Sequence, residues 1–279
     1  MNAGKLYRLS AFTNDPAGGN PAGVWIGNDL PDVETMQQIA TDVGASETAF
    51  IAPAAGIVRE VRYFSPVAEV SFCGHATIAT GVVLGTTDGE GTYRLATSIG
   101  DVMVTARIRD GYAEASLVSV ETKYKLASDA LLGEALAALR WQSDELDLSI
   151  APAVAYAGAW HLVLAVSRAQ RLADLDYDFD KLKSLMLREN LTTLQLVWRD
   201  KETLFHSRNP FPIGGIIEDP ATGAAAAALG GYLRDAGIMT APVTFRIRQG
   251  EAMGRPSLIT VDVPVSGGIK VTGSAVEIQ

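Results

Sequence analysis

An internal repeat is the feature of this 279-residue sequence that most limits what it can fold into. The pattern R-x-x-x-P occurs at residues 62–66 and again at 208–212. The pattern G-[DE]-x-M occurs at 100–103 and 250–253, each time within a predicted strand region. Between the two patterns, each half contains a run of small residues. The patterns keep the same order and a nearly constant offset close to half the chain. This spacing predicts a duplicated domain rather than a solenoid of short repeats.

The two runs of small residues, 73–79 and 219–226, predict helices that are buried on all sides. Both runs are apolar nearly all round, as is typical of a helix inside a core. Short segments rich in Val, Ile, Tyr, Phe and Thr surround each run and predict strands. The predicted strands are 5–12, 23–26, 48–51, 58–64, 92–97, 102–109 and 113–118 in the first half, and 161–166, 193–198, 202–207, 243–247 and 258–263 in the second. The sequence therefore predicts an α/β protein of the α+β type. Its two pseudo-symmetric halves would each wrap a mostly antiparallel sheet around a central helix.

Each half also contains one outer amphipathic helix, predicted at 33–43 and 180–189 from apolar residues at helical spacing. The stretch 121–150 is predicted to be helical and to connect the halves. We place the halves at 1–126 and 127–268, with the C-terminal segment 269–279 as a candidate completion of the first half.

Composition and charge exclude several classes of function. Apolar residues make up 48% of the chain and charged residues 20%, as in ordinary soluble globular proteins. The net charge of −9 argues against nonspecific binding to nucleic acid or to an anionic membrane. No run of about 18 apolar residues and no signal-peptide core is present, so we expect no membrane partner and a cytoplasmic location. The sequence also contains no P-loop and no nucleophile elbow.

The sequence gives no indication of a metal site. Cys73 is the only cysteine, so the chain has no internal disulfide and too few thiols for a thiolate metal cage. His161 and His206 stand alone in the sequence and form no recognisable ligand pattern. We therefore expect no metal.

The starts of the two small-residue helices are candidate anion sites. A helix N-terminus has unpaired backbone N–H groups and a partial positive charge. Gly74 and the run 221–223 have small side chains there, so a substrate carboxylate could approach the amides. Duplication would place the two termini face to face at the domain boundary, where ligand sites are common. The alternative is that the small residues only allow close helix packing.

Four further residues could carry chemistry, and local sequence alone leaves each of them open. Asp219 followed by Pro220 fits an N-cap and first helical residue, but Asp219 could equally contact a ligand. His75 fits a packed, capping or catalytic histidine. Glu47 lies at a loop-to-strand junction, which favours a solvated surface charge. Cys73 could be a base or nucleophile at the helix start, or a small buried residue.

Five segments form a specific signature when taken together. They are 19–24 (GNPAGV), 45–50 (ASETAF), 64–75 (FSP through FCGH), 218–225 (EDPATGAA) and 249–256 (QGEAMGRP). In this order they resemble the PhzF-like proteins of phenazine biosynthesis, which have the diaminopimelate-epimerase-like fold. The resemblance implies two pseudo-symmetric halves with the site between them, a cofactor-free isomerase, a small-molecule substrate and a homodimer.

The resemblance also implies roles for individual residues. The acid–base glutamate of the family falls on Glu47, and its site histidine and aspartate fall on His75 and Asp219. This replaces the surface-charge interpretation of Glu47. The expected substrate-binding residues are Asn20, Ser46, Gly74, Thr222, Gly223 and Ala224.

Two departures from the family pattern matter for the substrate and the mechanism. Ala224 stands where the phenazine-producing members typically have serine, which argues against a dihydro-hydroxyanthranilate substrate. Cys73 matches the first catalytic cysteine of related epimerases, whereas the second would fall on Pro220. A two-thiol racemase mechanism is therefore not available to this chain.

The leading hypothesis is carbon-acid isomerisation of a small carboxylated substrate. Glu47 would remove a proton from one carbon and return it to another, while His75 and Asp219 hold polar groups of the substrate and shuttle or steady the proton. One alternative is epimerisation or racemisation with Glu47 or Cys73 as a base. Another is a non-catalytic ligand-binding protein that has the same fold.

Overall fold

The computed structural model describes residues 4–109 and 111–279, and the chain divides into two compact units. The first unit comprises Met1–Val118 together with Thr272–Gln279, and the second comprises Ser119–Val271. The first unit therefore takes its last strand from the C-terminal segment. The sequence placed the boundary slightly later, at residue 126. The difference arises because residues 123–126 form a strand that pairs within the second unit.

The strands and helices of each unit follow in chain order. The first unit has β1 (Lys5–Ala11), β2 (Asn20–Ile26), α1 (Val33–Val43), β3 (Glu47–Ala55), β4 (Val58–Phe64), β5 (Glu69–Val70), α2 (Gly74–Thr87), β6 (Gly91–Thr97), β7 (Gly100–Arg109) and β8 (Tyr112–Val118). The second has β9 (Lys123–Leu126), α3 (Asp129–Leu139), β10 (Ala153–Tyr156), β11 (Trp160–Ala165), α4 (Ala169–Ala173), α5 (Phe179–Arg188), β12 (Thr193–Lys201), β13 (Leu204–Arg208), β14 (Pro210–Phe211), β15 (Ile216–Glu218), α6 (Gly223–Asp235), β16 (Val243–Gln249) and β17 (Ser257–Val263). The last strand is β18 (Lys270–Glu277), which belongs to the first unit from Thr272 onward.

In the first unit the sheet closes around α2. The strand order is β1–β2–β3–β4–β6–β7–β8–β18, and β18 also pairs with β1, while β5 lies beside β4. The β2–β3 and β4–β6 pairs are parallel, and the β1–β2, β3–β4, β6–β7, β7–β8 and β1–β18 pairs are antiparallel. Residues 75–85 of α2 are all buried. A Cβ added at Gly81 would lie only 2.5 Å from Val104 Cγ1 of β7, so glycine is what allows the helix to approach this strand.

The second unit is built in the same way around α6. Its strand order is β17–β16–β13–β12–β11–β10–β9, with β14 and β15 paired separately. The β11–β12 and β13–β16 pairs are parallel, and the β9–β10, β10–β11, β12–β13 and β16–β17 pairs are antiparallel. Residues 225–233 of α6 are all buried. The fold class predicted from the repeat is therefore confirmed.

The outer amphipathic helices occupy equivalent places in the two units. α1 connects the parallel strands β2 and β3, and α5 precedes β12, which is parallel to β11. Each helix begins after an aspartate, because the side chains of Asp32 and Asp178 accept hydrogen bonds from first-turn amides. Each of these helices is followed by a nine-residue strand in the same topological position. Glu47 is the first residue of the strand after α1, and Thr193 is the first residue of the strand after α5.

Two local predictions were wrong. Residues 121–150 are only partly helical, because Lys123–Leu126 pairs with β10 as strand β9 before α3 begins. The second G-[DE]-x-M segment contains a 3-10 turn, Glu251–Met253, rather than a strand. Gly250 and Gly254, with φ angles of 77° and 68°, place this turn between β16 and β17.

The helices are short. Among the residues that the structure describes, none is both long enough and apolar enough to span a bilayer.

Candidate active site

Three of the predicted residues of the first unit come together at the N-terminus of α2. Glu47 is the first residue of β3, and its side chain is only 20% exposed. Cys73 is the N-cap of α2, and His75 lies in the first turn of this helix with its side chain 8% exposed. A partly buried glutamate beside a helix N-terminus is not the solvated surface charge that its local sequence suggests.

The side chains form a compact hydrogen-bonded cluster centred on one carboxylate oxygen. The thiol of Cys73 donates to Glu47 Oε2 over 3.4 Å, and His75 Nε2 lies 3.3 Å from the same oxygen. Cys73 Sγ lies 3.3 Å from His75 Nδ1 and 3.7 Å from His75 Nε2. Ser46 Oγ lies 3.1 Å from His75 Nε2. The cluster thus contains a carboxylate, an imidazole, a thiol and a hydroxyl, which are groups that exchange protons in enzymes.

The backbone at the start of α2 is fixed by two buried residues. The hydroxyl of Thr77 donates to the Cys73 carbonyl over 2.6 Å and lies 2.7 Å from Tyr63 Oη. Tyr63 is fully buried, and this burial raises the pKa of its phenol well above the ordinary value. The neutral phenol and Thr77 therefore hold Cys73 in place without taking part in proton transfer at neutral pH.

Two further predicted residues flank this cluster. Asn20 opens β2 and is buried, two residues before Ala22, which is the register partner of Glu47. At Gly74, an added Cβ would meet no atom within 4 Å, so the space beside this first-turn residue is open. The binding of a substrate carboxylate at Gly74 stays a prediction.

In the second unit, Asp219 does not cap the central helix, which was one of the two roles that its local sequence left open. The helix α6 begins at Gly223 and its N-cap is Thr222, so Asp219 and Pro220 precede the helix. The physical reason is a hydrogen-bonded turn closed by Gln249 of β16. Gln249 Oε1 accepts from the Thr222 amide over 3.2 Å, and Gln249 Nε2 donates to the Asp219 carbonyl over 2.7 Å.

The Asp219 side chain is held by the residue that does cap α6. The hydroxyl of Thr222 donates to Asp219 Oδ2 over 2.6 Å. Thr222 Oγ1 also accepts a hydrogen bond from Gln249 Nε2 over 3.0 Å. The predicted binding residues Gly223 and Ala224 follow directly as the first two residues of α6.

The arginine that opens the R-x-x-x-P repeat makes a paired ionic contact in both units. In the first unit, Arg62 donates from Nε and from a terminal nitrogen to the two oxygens of Glu69, over 2.7 and 2.6 Å. In the second, Arg208 Nε donates to Glu218 Oε2 over 2.8 Å, and a second nitrogen bonds the other oxygen. The second pair is buried, with side-chain exposures of 14% and 7%. Glu218 directly precedes Asp219, so this ion pair holds the segment that carries Asp219.

The two remaining histidines lie apart from both sets of residues. His161 is fully buried and 2.9 Å from the hydroxyl of Thr193, and burial lowers its pKa to about 3. It is therefore a neutral core residue. His206 lies near the surface, 3.1 Å from a carboxylate oxygen of Glu251.

The sequence model of the family PhzC-PhzF, described as phenazine biosynthesis-like protein, matches residues 9–279. The chain belongs to the phenazine biosynthesis-like protein family. An uncharacterized isomerase of Clostridium acetobutylicum is 30% identical to this PhzC-PhzF chain, over 97% of the chain and 95% of the relative. A Bacillus anthracis phenazine biosynthesis protein of the PhzF family superposes with a TM-score of 0.86 at 23% identity, over 100% and 98% of the two chains. A hydroxyproline epimerase from Agrobacterium vitis superposes with a TM-score of 0.68 at 15% identity, over 100% and 92%. The family and fold expected from the sequence are both confirmed.

Three residues of this PhzC-PhzF protein that hold the candidate site residues in place were not predicted from the sequence. They are Tyr63 and Thr77 behind Cys73, and Gln249 beside Asp219. Gln249 had a signal, because it opens the segment QGEAMGRP on which part of the resemblance rests. Tyr63 lies within the R-x-x-x-P repeat, but nothing in that pattern indicates which residue its hydroxyl contacts.

Proposed function

We propose that this chain is a cofactor-independent isomerase that moves a proton between carbons of a small carboxylated molecule, with Glu47 as the general acid and base. That the protein is an isomerase rests on its family and on relatives that carry that name. The proposal that Glu47 transfers the proton rests on the cluster that Glu47, Cys73 and His75 form at the start of α2.

Within this cluster, we assign the two carboxylate oxygens of Glu47 different tasks. Oε2 is the oxygen that Cys73 and His75 contact, so it is held in position. Oε1 is then the oxygen that takes the proton from a carbon of the substrate. The C–H electron pair moves into the π system conjugated with the substrate carboxylate, and the new O–H of Glu47 later returns the proton to a second carbon. No electrons are gained or lost, so the step needs no redox partner.

His75 and Ser46 stabilise the charge changes on Glu47. With its proton on Nε2, the imidazole donates to Glu47 Oε2 when the carboxylate is charged. Ser46 Oγ, at 3.1 Å from the same nitrogen, restrains the ring. We assign the substrate carboxylate to the backbone amide at Gly74, where the space is open. On the resemblance alone, we assign Asn20, Asp219, Thr222, Gly223 and Ala224 to substrate binding, with Asp219 also able to accept a proton.

The experiment that tests the proposal begins with a thermal-shift screen of small unsaturated carboxylates. A ligand at 100 times its Kd adds about 2.7 kcal/mol to the free energy of unfolding, which a melting curve detects. Each hit is then incubated with the protein in D₂O and followed by NMR. A shifted double bond with deuterium at a new carbon supports the isomerase. Deuterium incorporation with inversion at one carbon would instead support epimerisation.

The thiol of Cys73 gives the first prediction. We expect Cys73→Ala to retain most of the turnover, because His75 still contacts Glu47 Oε2 and the chain has no second thiol to act as a partner base. Turnover and the melting temperature are measured on the same preparation. A complete loss of turnover in a folded Cys73→Ala protein would favour an epimerase that uses Cys73 as a base.

The carboxylate of Asp219 gives the second prediction. Asp219 is not a helix cap, but its side chain accepts a hydrogen bond from Thr222. Asn offers an acceptor of the same shape, so Asp219→Asn should change the free energy of unfolding by less than the 0.5–1.5 kcal/mol or so of one hydrogen bond. Turnover should fall, because the charge and the proton-accepting capacity are lost. Full activity in Asp219→Asn would restrict the acid–base set to Glu47 and His75.

A homodimer and a cytoplasmic location belong to the same proposal and rest on the resemblance and the composition. Sedimentation velocity at several protein concentrations gives the oligomeric state. A single species of monomer mass at all concentrations would contradict the homodimer.

A further inference from the structure

The Glu47–Cys73–His75 cluster has a second chemical capacity, which proton transfer does not use. Its three side chains supply one oxygen, one sulfur and one nitrogen atom, and these three atoms lie on a single small triangle. The sides of the triangle are 3.4 Å from Cys73 Sγ to Glu47 Oε2, 3.7 Å from Cys73 Sγ to His75 Nε2, and 3.3 Å from His75 Nε2 to Glu47 Oε2.

These distances match one face of a tetrahedral metal site. Zinc binds thiolate sulfur near 2.3 Å, imidazole nitrogen near 2.0–2.1 Å and carboxylate oxygen near 2.0–2.2 Å, which in a tetrahedron separates the ligand atoms by about 3.4–3.6 Å. Each side of the observed triangle agrees with that range of ligand–ligand separations to within about 0.2 Å. A cation can therefore reach all three atoms with only small side-chain movements.

The chemistry of the donors selects the kind of cation. A thiolate and an imidazole favour zinc and similar soft or borderline ions, whereas magnesium and calcium favour oxygen ligands alone. A thiolate on Cys73 and a carboxylate on Glu47 together carry two negative charges, which balance a divalent ion. Both side chains of the α2 N-terminus, Cys73 and His75, are buried, so the ion would be largely enclosed by protein on that side.

We propose that Glu47, Cys73 and His75 bind one thiophilic divalent cation, Zn²⁺ in the first instance. On binding, the S–H bond of Cys73 breaks, a Zn–S bond forms, and the thiol proton leaves to solvent. The imidazole proton of His75 moves from Nε2 to Nδ1, so that the lone pair of Nε2 forms the Zn–N bond, and no oxidation state changes. Ser46 Oγ gives up its contact with His75 Nε2, which becomes a ligand. The ion then occupies Glu47 Oε2 and leaves an open fourth position. This inference stands on the three contacts alone and does not depend on the proposed isomerase activity.

The test is a zinc titration of the full-length protein in competition with a chromophoric chelator, with no turnover measured. We expect one ion per chain in the wild type. We expect Cys73→Ala and His75→Ala each to weaken binding by about 100-fold or more, because loss of a mere outer-shell partner already costs about 10–100-fold. Excess Mg²⁺ should not displace the ion. Melting curves without metal establish that each variant is folded.

The chain contains a matched control for surface binding. His206 is a histidine near the surface that has two carboxylates nearby and no thiolate: Nδ1 lies 3.1 Å from Glu251, and Nε2 lies 4.0 Å from Asp200. His206→Ala is expected to leave the zinc affinity unchanged. Loss of binding in His206→Ala, or unchanged affinity in Cys73→Ala, would overturn the proposal, as would the absence of stoichiometric binding in the wild type.

A spectroscopic readout identifies the sulfur ligand directly. With Co²⁺ in place of Zn²⁺, the wild type should show a thiolate-to-metal charge-transfer band, and Cys73→Ser should lack it. A Co²⁺ complex without that band would place the ion elsewhere and contradict the assignment.

Discussion

Glu47→Gln is expected to lower turnover by about 10²–10⁴-fold, the usual contribution of a positioned general acid or base. The amide has the size of the carboxylate and can still accept hydrogen bonds from Cys73 and His75, so the fold and the cluster should persist. It cannot take a proton from carbon at neutral pH. The measurement is the rate of deuterium incorporation and product formation, together with a melting curve for the variant.

Glu60→Gln is the matched control for this experiment. Glu60 lies on β4, the strand that pairs with β3, but it is exposed to solvent. We expect the turnover of the Glu60→Gln variant to equal that of the wild type. If Glu47→Gln were as active as Glu60→Gln, Glu47 would not be the base and the proposed mechanism would fail.

Arg208→Ala is expected to lower the free energy of unfolding of the second unit by about 3–5 kcal/mol, because it leaves a buried carboxylate without its cation. The Glu218 side chain is only 7% exposed and accepts two hydrogen bonds from Arg208. Arg208 also donates to the carbonyls of Leu172 and Ala173, which would lose that donor. Urea denaturation followed by circular dichroism measures the loss.

The duplicated architecture provides the control for this prediction. Arg62 and Glu69 make the same paired contact in the first unit, but their side chains are 30% and 38% exposed. Arg62→Ala should therefore cost less than about 1 kcal/mol, as is usual for solvated ion pairs. Equal losses in the two variants would contradict the role assigned to burial.

A second variant keeps the test informative if Arg208→Ala does not fold. The double variant Arg208→Met with Glu218→Leu removes both charges and fills a similar volume. It should recover most of the lost stability, because an apolar pair often replaces a buried ion pair at little cost.

The sequence predicted local elements well where one local signal dominates. Helix α1 has the predicted bounds because its apolar periodicity lies between an Asp32 N-cap and a left-handed Gly44 at its end. The buried helices α2 and α6 were predicted because each is apolar nearly all round. The strand β9 was missed because Lys123–Leu126 is short and exposed, and only its pairing with β10 makes it a strand.

The candidate site was harder to predict from local sequence, because contacts between residues far apart in the chain determine its structure. The neighbourhood of Glu47 alone indicates a surface charge; only the packing of the α2 N-terminus against it makes it part of a buried cluster. Asp219 followed by Pro220 has all the local marks of a helix start. Gln249, far along the chain, holds the segment in a turn, so the helix begins at Gly223.

The pairing of β18 with β1 has a consequence for how the protein is made. On one edge of β1, Leu9, Ser10 and Ala11 pair with Glu277, Val276 and Ala275, which are synthesised after the whole of the second unit. The second unit is continuous from Ser119 to Val271 and has all its strands before that point. We therefore expect the two units to complete their folding in the reverse of their order of synthesis. During that interval the edge of β1 is unpaired, and an open strand edge is a template for aggregation.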